Sequence, residues 1–219
     1  MLDGVPQLTF QGPRSQAGPD RVAAMALEFG KRRCVTVPRL LAPPLVEWLH
    51  RQLATAPFAA RTHAGMDSTE LSLQNCTALG VLTFLVNDPA MLRFVERVSR
   101  QPALTRFNGR VYTRLPGVHG DTWHDDIRPD RLVGMSINLS AGLYQGGVFE
   151  IRDTDSKRPL GAIANTGFGD AILFSIDDAL QHRVSPLSGT IAKTAFAGWF
   201  GAMHDYNAEL RRPPSAIAR

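Results

Sequence analysis

The chain has 219 residues, 44% of them hydrophobic and 20% charged, with a formal net charge of +4 at pH 7. These are the values of one ordinary folded domain with a sizeable core, not those of a disordered or membrane-embedded chain. The positive excess is spread as scattered arginines. Its densest pieces, GKRR at 30–33 and LRRPP at 210–214, are neither interleaved with aromatics nor fixed on a long helix face, so no nucleic-acid partner is expected.

Residues 1–18 hold Gly, Pro, Gln and Ser with little periodicity and read as a loose N-terminal arm. Three helices follow. In DRVAAMALEFG, Val22, Met25, Ala26 and Phe29 recur at helical spacing, with Asp20 as N-cap and Gly30 at the end. In PPLVEWLHRQL the prolines start the helix and Leu45, Trp48, Leu49 and Leu53 form its stripe. In DPAMLRFVERVSR, Asp88 caps, Pro89 opens the first turn, and Met91, Phe94, Val95 and Val98 line one face. The longest apolar run, LGVLTFLV from Leu79 to Val86, is too short to cross a bilayer, and no basic-then-apolar leader opens the sequence. A cytoplasmic protein with no membrane partner is the expectation, and the cysteines, Cys34 and Cys76, are expected to be reduced.

From about residue 106 the texture turns to short β-like runs: RFNGRVYTRL, LVGMSINLS, GGVFEIRD, DAILFSI and IAKTAFAGWF. In LVGMSINLS, Val133, Met135, Ile137 and Leu139 alternate with small or polar residues, as in a strand with one buried face. Helices first and strands afterwards predict an α+β fold, with helices packed on a sandwich or barrel of antiparallel strands. The expected single domain covers 19–204, helical to about 100 and β-rich from about 106 to 200, with 205–219 as a tail.

Six histidines are present. His50, His63 and His204 have surroundings that suit ordinary surface or core roles. His119, His124 and His182 stand at strand–loop junctions. The stretch GVHGDTWHDDIRP at 117–129 contains His-x-Asp twice, as His119-Gly120-Asp121 and His124-Asp125-Asp126. A non-haem Fe(II) centre needs two imidazoles and one carboxylate on one face of an octahedron. His-x-Asp on an extended segment supplies two of these, since residues i and i+2 point the same way. The third must come from a distant strand, and His182, after DAILFSI, is placed for it. In IAKTAFAGWF, alternation puts Ile191, Lys193, Ala195, Ala197 and Trp199 on one face. Lys193 there either snorkels toward solvent or meets an anionic ligand beside the metal, because an unpaired buried cation is costly.

Over about Arg106 to Phe200 the chain resembles the Fe(II)- and 2-oxoglutarate-dependent dioxygenases, nearest the prolyl 4-hydroxylase-like branch. VYTRLPGVHGDTWHDD is similar to that family's Tyr-containing strand, Gly-containing loop and His-x-Asp. RLVGMSINLS with YQGGVFEIRD is similar to its strand, turn and Gly-Gly strand, and FGDAILFSIDDALQHRVSPLSG to its Gly-Asp, strand and His-x-Val-x-Pro segment. The resemblance implies a double-stranded β-helix (jelly-roll, cupin-like) core with the N-terminal helices packed on one sheet. It implies His124, Asp126 and His182 as iron ligands, since Trp123 precedes the second triplet and the apolar strand follows it. His119 and Asp121 become loop or supporting residues.

By the same resemblance Lys193, rather than the family's more usual arginine one residue nearer the distal His, pairs with the far carboxylate of 2-oxoglutarate. Arg183 is the alternative anchor, and Tyr112 hydrogen-bonds the same carboxylate. The implied reaction consumes 2-oxoglutarate and O2, releases succinate and CO2, and hydroxylates a carbon. Halogenation is disfavoured, because Asp126 fills the coordination position a halide would need; desaturation and ring formation stay open. The expected substrate is a small molecule, an amino acid or biosynthetic intermediate. The alternatives are a peptidyl or protein hydroxylase, a cupin-like metalloprotein that does not use 2-oxoglutarate, and a non-catalytic binding module. The polar stretch RTHAGMDSTELSLQN at 61–75 is either a lid or entrance wall over the site or an ordinary surface loop.

Overall fold

The computed structural model describes residues 3–62, 69–101, 103–117, 121–164 and 166–202. The first departure from expectation is at the N-terminus. In place of a loose arm, β1 (Val5–Thr9) and β2 (Gly12–Ala17) form an antiparallel hairpin. Leu8 is fully buried, its N–H donates to the Leu40 carbonyl at 2.6 Å, and its own carbonyl accepts from Ala42 N at 2.9 Å. A single apolar anchor with backbone bonds to a distant segment leaves no periodic trace in the sequence.

The three expected helices are present as α1 (Pro19–Arg32), α2 (Pro43–Ala54) and α4 (Pro89–Ser99). Their predicted stripes are largely buried, and Asp88 caps α4 by accepting from Ala90 N at 2.8 Å. α1 differs at both ends. Gly18 is its N-cap without a side-chain bond, and it runs past Gly30 to a left-handed Arg33. A fourth helix, α3 (Thr77–Val86), occupies the apolar run. Its residues are hydrophobic nearly all round, so no amphipathic period marks it; Ala78, Leu82, Leu85 and Val86 are buried while Phe84 faces solvent. Among the described residues no single helix is long and apolar enough to cross a membrane.

The remaining strands are β3 (Cys34–Val37), β4 (Phe58–Thr62), β5 (Thr69–Leu73), β6 (Arg106–Arg114), β7 (Val133–Asn138), β8 (Gln145–Gly146), β9 (Phe149–Asp153), β10 (Pro159–Ile163), β11 (Ala171–Ser175), β12 (Leu180–Val184), β13 (Leu187–Ser188) and β14 (Lys193–Gly201). Seven form one antiparallel sheet in the order β3-β11-β7-β14-β6-β5-β4, and three form a second in the order β10-β9-β12. The architecture is thus mixed α and β, with a large antiparallel sheet and, among the described residues, four helices.

Period-two alternation splits the large sheet into two faces. Val133, Met135 and Ile137 of β7, Phe196 and Phe200 of β14, and Phe107 and Val111 of β6 face the helices and build the main core with their apolar stripes. On the opposite face, Ile172 and Phe174 meet Phe149, Ile151 and Leu180 of the small sheet in a second apolar cluster. Gly134 makes room for this packing, because a Cβ there would fall 2.1 Å from the Phe174 ring. The small sheet covers only the β11 side of this face. Over β14, β6 and β4 the face lines a cavity. Within the 61–75 stretch, residues 61–62 belong to β4 and 69–73 to β5, which extend the sheet, and Arg61 stands in the cavity wall; 63–68 lie outside the described residues.

Replacing Leu8 with alanine is expected to lower the free energy of unfolding by about 3 kcal/mol, as for other fully buried leucines. Urea denaturation measures this; a change within a few tenths of a kcal/mol would mean that the hairpin is not part of the core.

Candidate metal centre and adjoining anion pocket

The expected metal ligands converge although 56 residues separate Asp126 from His182. Residues 121–126 run along the free edge of β12, and Gly117 reaches β13. Gly117 N donates to Leu187 O at 3.2 Å, Asp121 N to Val184 O at 2.9 Å and His124 N to His182 O at 3.1 Å, and His182 N returns a bond to His124 O at 2.8 Å. That reciprocal pair is an isolated antiparallel bridge and sets the imidazoles side by side, 4.4 Å between centroids. One candidate ligand atom from each of His124, Asp126 and His182 lies within 4.8 Å of the other two.

One detail differs from an extended His-x-Asp. Asp126 has φ +60°, so the chain turns immediately after the bridge and folds the carboxylate back toward the rings. Asp125 assists by accepting from Ile127 N at 3.0 Å, a short local turn that leaves Asp126, not Asp125, facing the histidines.

The donor chemistry suits a divalent transition metal. His124 Nδ1 lies 2.8 Å from the Thr122 carbonyl, which only accepts, so Nδ1 carries the proton and Nε2 keeps its lone pair for the site. His182 is buried, its ring packed on Phe174 at 4.7 Å and Phe149 at 5.9 Å between centroids. Burial pulls its pKa down against the pull of Asp126, favouring the neutral, ligating form. Burial works to raise Asp126, but the His182 hydrogen bond, the two imidazoles and the Trp199 indole N–H bring it down to about 2. Its Oδ2 lies 3.3 Å from His182 Nε2 and accepts from Trp199 Nε1 at 3.1 Å, while Arg131 Nη1 stands 3.6 Å from Oδ1. Arg131 also lies flat on Trp199, its guanidinium carbon 3.6 Å from the ring centroid. The carboxylate is therefore held in its ionised, ligating form.

The same cavity, about 250 Å³, has a second cluster deeper along the sheet. Lys193 opens β14 opposite Arg114 of β6, and Tyr112 stands beside Arg114 on the same face. Lys193 is 5% exposed, so the solvent-facing reading is excluded. Its Nζ donates to Gly147 O at 3.1 Å, and burial, with the Arg114 charge beside it, lowers its pKa to about 8 against the pull of Asp121. Gly147 adopts φ +61° in the turn that presents this carbonyl. Arg114 pairs with Asp121 at 2.7 Å, yet its Nε and Nη1 are buried with no hydrogen-bond partner among the described residues. Buried Lys193 and part-buried Arg114 face one carboxylate, and two guanidinium nitrogens find no acceptor among the described residues. An anion placed there would repair both deficits.

Arg114 and the cavity-lining role of Asp121 were not legible as site features. Asp121 belongs to the first triplet, read as loop; it lines the cavity through its ion pair with Arg114. His119 lies outside the described residues. The periodicity of RFNGRVYTRL could have flagged Arg114, since Arg110, Tyr112 and Arg114 share a face. Arg183 is a correction. Strand parity turns it away from His182, and outside the cavity it pairs with Glu150 at 2.6 Å and packs on Trp123, 4.6 Å from the ring centroid. Arg152 covers the same indole at 4.0 Å, so Trp123 fastens the ligand loop to the outer face of the small sheet.

No family model matches the chain, and no curated protein matches it by sequence. Solved structures do match. An oxidoreductase of the 2OG-Fe(II) oxygenase family from Burkholderia pseudomallei is 18% identical, with a TM-score of 0.62 over 89% of this chain and 95% of the other. The fold is that of the 2OG-Fe(II) oxygenases. A prolyl-4-hydroxylase from Pseudomonas putida is 16% identical, with a TM-score of 0.62 over 84% and 100%. HygX from Streptomyces hygroscopicus, solved with nickel, 2-oxoglutarate and hygromycin B, is 15% identical, with a TM-score of 0.59 over 82% and 87%. The family resemblance read from the sequence and the structural likeness thus agree, and the His-Asp-His group is compatible with iron.

Two outcomes follow. Co(II) is expected to bind one per chain with the absorption of a His/Asp site, and His182→Ala to weaken it by at least about 100-fold; unchanged affinity would rule this centre out. Because Lys193 is depressed to about 8 from an ordinary 10.5, the unfolded chain carries the extra proton between those values. Stability gains from this group as pH rises through that window, and Lys193→Met should remove that gain in urea unfolding on its two sides.

Proposed function

We propose that this chain is a non-haem Fe(II)- and 2-oxoglutarate-dependent oxygenase with a double-stranded β-helix core. It hydroxylates a C–H bond of a small molecule such as an amino acid or biosynthetic intermediate. Residues 19–204 form its catalytic domain, with the N-terminal hairpin built onto it. We place it in the cytoplasm, with no nucleic-acid or membrane partner. The observation that carries the reading is the union, in one cavity, of a His-Asp-His group with a buried, under-neutralised cation pair. A metal-only cupin would need the first and have no use for the second.

In this reading His124, Asp126 and His182 hold the iron, and Lys193 and Arg114, with Tyr112, hold the far carboxylate of 2-oxoglutarate. Bound iron, 2-oxoglutarate and O2 supply the oxidising chemistry, in which 2-oxoglutarate becomes succinate and CO2 and one oxygen atom enters the substrate. The chain supplies position. Trp199 and Arg131 keep the Asp126 carboxylate oriented and ionised, the Thr122 carbonyl fixes the His124 tautomer, and Phe149 and Phe174 shield His182 from water.

Anaerobic titration of the Fe(II)-loaded protein with 2-oxoglutarate is expected to give a charge-transfer absorption, and admission of oxygen to give succinate. Lys193→Ala should raise the KM for 2-oxoglutarate at least about 100-fold with Fe(II) binding retained, as for loss of a buried charge-assisted contact. Affinity for 2-oxoglutarate should hold up to about pH 8 and fall above it as Lys193 loses its proton. Failure of 2-oxoglutarate to bind iron-loaded protein overturns the proposal.

A further inference from the structure

Beyond the Lys193–Arg114 pair, the cavity has a second cationic group that neither iron nor 2-oxoglutarate uses. Arg61, Arg110 and Arg131 all line it. Arg61 sits opposite Glu70 in the β4–β5 register, and Glu70 bonds Arg110 Nε at 2.8 Å, so the two arginines flank one buried carboxylate. Arg110 and Arg131 are close enough for the charge of Arg110 to act on Arg131. Arg131 lies over Trp199, beside Asp126 and therefore beside the metal. Ala197, in register with Arg110 on the same face of the sheet, is small and leaves space beside these arginines.

Charge counting separates this group from the deeper one. Among the described residues, Lys193 and Arg114 stand with Asp121, Arg61 and Arg110 with Glu70, and Arg131 with Asp126, so the three outer arginines face two carboxylates. A divalent iron and a dianionic 2-oxoglutarate cancel each other. The outer group keeps a surplus of positive charge next to the reacting position. Arginines that outnumber the carboxylates beside them on a cavity wall match an anionic ligand, since guanidinium offers forked donors to carboxylate and phosphate oxygens.

We propose that the prime substrate is an anion, a small molecule whose carboxylate or phosphate group is held by Arg61, Arg110 and Arg131 while its target carbon faces the metal. This deepens the oxygenase reading and rests on it for the role of the site, but not for the presence of the anion subsite. Glu70 positions Arg110, and Trp199 positions Arg131 from below.

The test uses the Co(II)-loaded full chain saturated with 2-oxoglutarate, so that the deep cations are occupied. Benzoate, phenyl phosphate, benzamide and benzylamine are titrated by calorimetry, alongside the variants Arg61→Gln and Arg61→Gln/Arg131→Gln. Arg110 is left intact because it bonds the buried Glu70. At least one acid is expected to bind about tenfold or more tightly than both the amide and the amine. Its affinity should fall with added salt and with Arg61→Gln, and the preference over benzamide should vanish in the double variant, measured at Co(II) and 2-oxoglutarate concentrations that saturate it, since loss of Arg131 beside Asp126 weakens the metal site. Whether benzoate or phenyl phosphate binds better separates a carboxylate substrate from a phosphorylated one. Equal binding of acid and amide, no binding of either acid at millimolar concentration, or an acid preference that survives the double variant overturns the proposal. If 2-oxoglutarate fails to bind the wild type, the oxygenase reading falls separately, and the same acid-versus-amide comparison on the Co(II) form still decides the anion subsite.

Discussion

The reciprocal backbone bonds between His124 and His182 are the constraint on which the site depends. They tie an irregular loop to the free edge of β12, which otherwise offers unpaired N–H and C=O groups to solvent. Satisfying that edge and assembling the metal centre are the same event. The turn at Asp126 brings in the third ligand, and Trp123, one residue away and on the opposite side, is fixed between Arg152 and Arg183. The loop is thus held from both faces of the small sheet, so the ligands stand on a strand edge and not on a free loop.

A gradient of polarity across one face of the large sheet organises the rest. Its β11 end is apolar and covered by the small sheet; its β4–β6 end is charged and lines the cavity. The metal group sits at the boundary. Apolar neighbours there keep His182 neutral, and polar neighbours keep Asp126 ionised. Both groups are shifted down, to a neutral imidazole and an ionised carboxylate that suit metal ligation, because the boundary puts the imidazole on its dry side and the carboxylate against N–H donors.

The charged end works against stability. Lys193 and Arg114 are buried with one carboxylate between them, and two Arg114 N–H groups lack partners. Such an arrangement is retained where a ligand completes it, and it marks where stability has been given up for binding. The helices compensate on the far side of the same sheet, where Phe107, Phe196 and Phe200 join the main apolar core.

The sequence by itself determined whatever follows from alternation and from local capping. Val133, Met135 and Ile137 are buried on one face of β7, Lys193 shares a face with Trp199, Asp88 caps α4, and the three helix stripes lie where 3.6-residue spacing puts them. Period and parity are properties of a single segment, so they survive without neighbours. His124, Asp126 and His182 could be named because a resemblance supplied the pairing of distant segments. Tertiary structure decided what depends on two or more segments at once. The hairpin around Leu8 is held by residues near 40, and α3 is defined by what surrounds it and not by a stripe of its own. Arg114 became a pocket residue only when β6 was set in register against β14, and Arg183 was excluded only when β12 showed which face it turned outward. For Arg114 the deciding quantity is register between strands, and for the hairpin and α3 it is contact with distant segments, neither of which a segment's own residues encode.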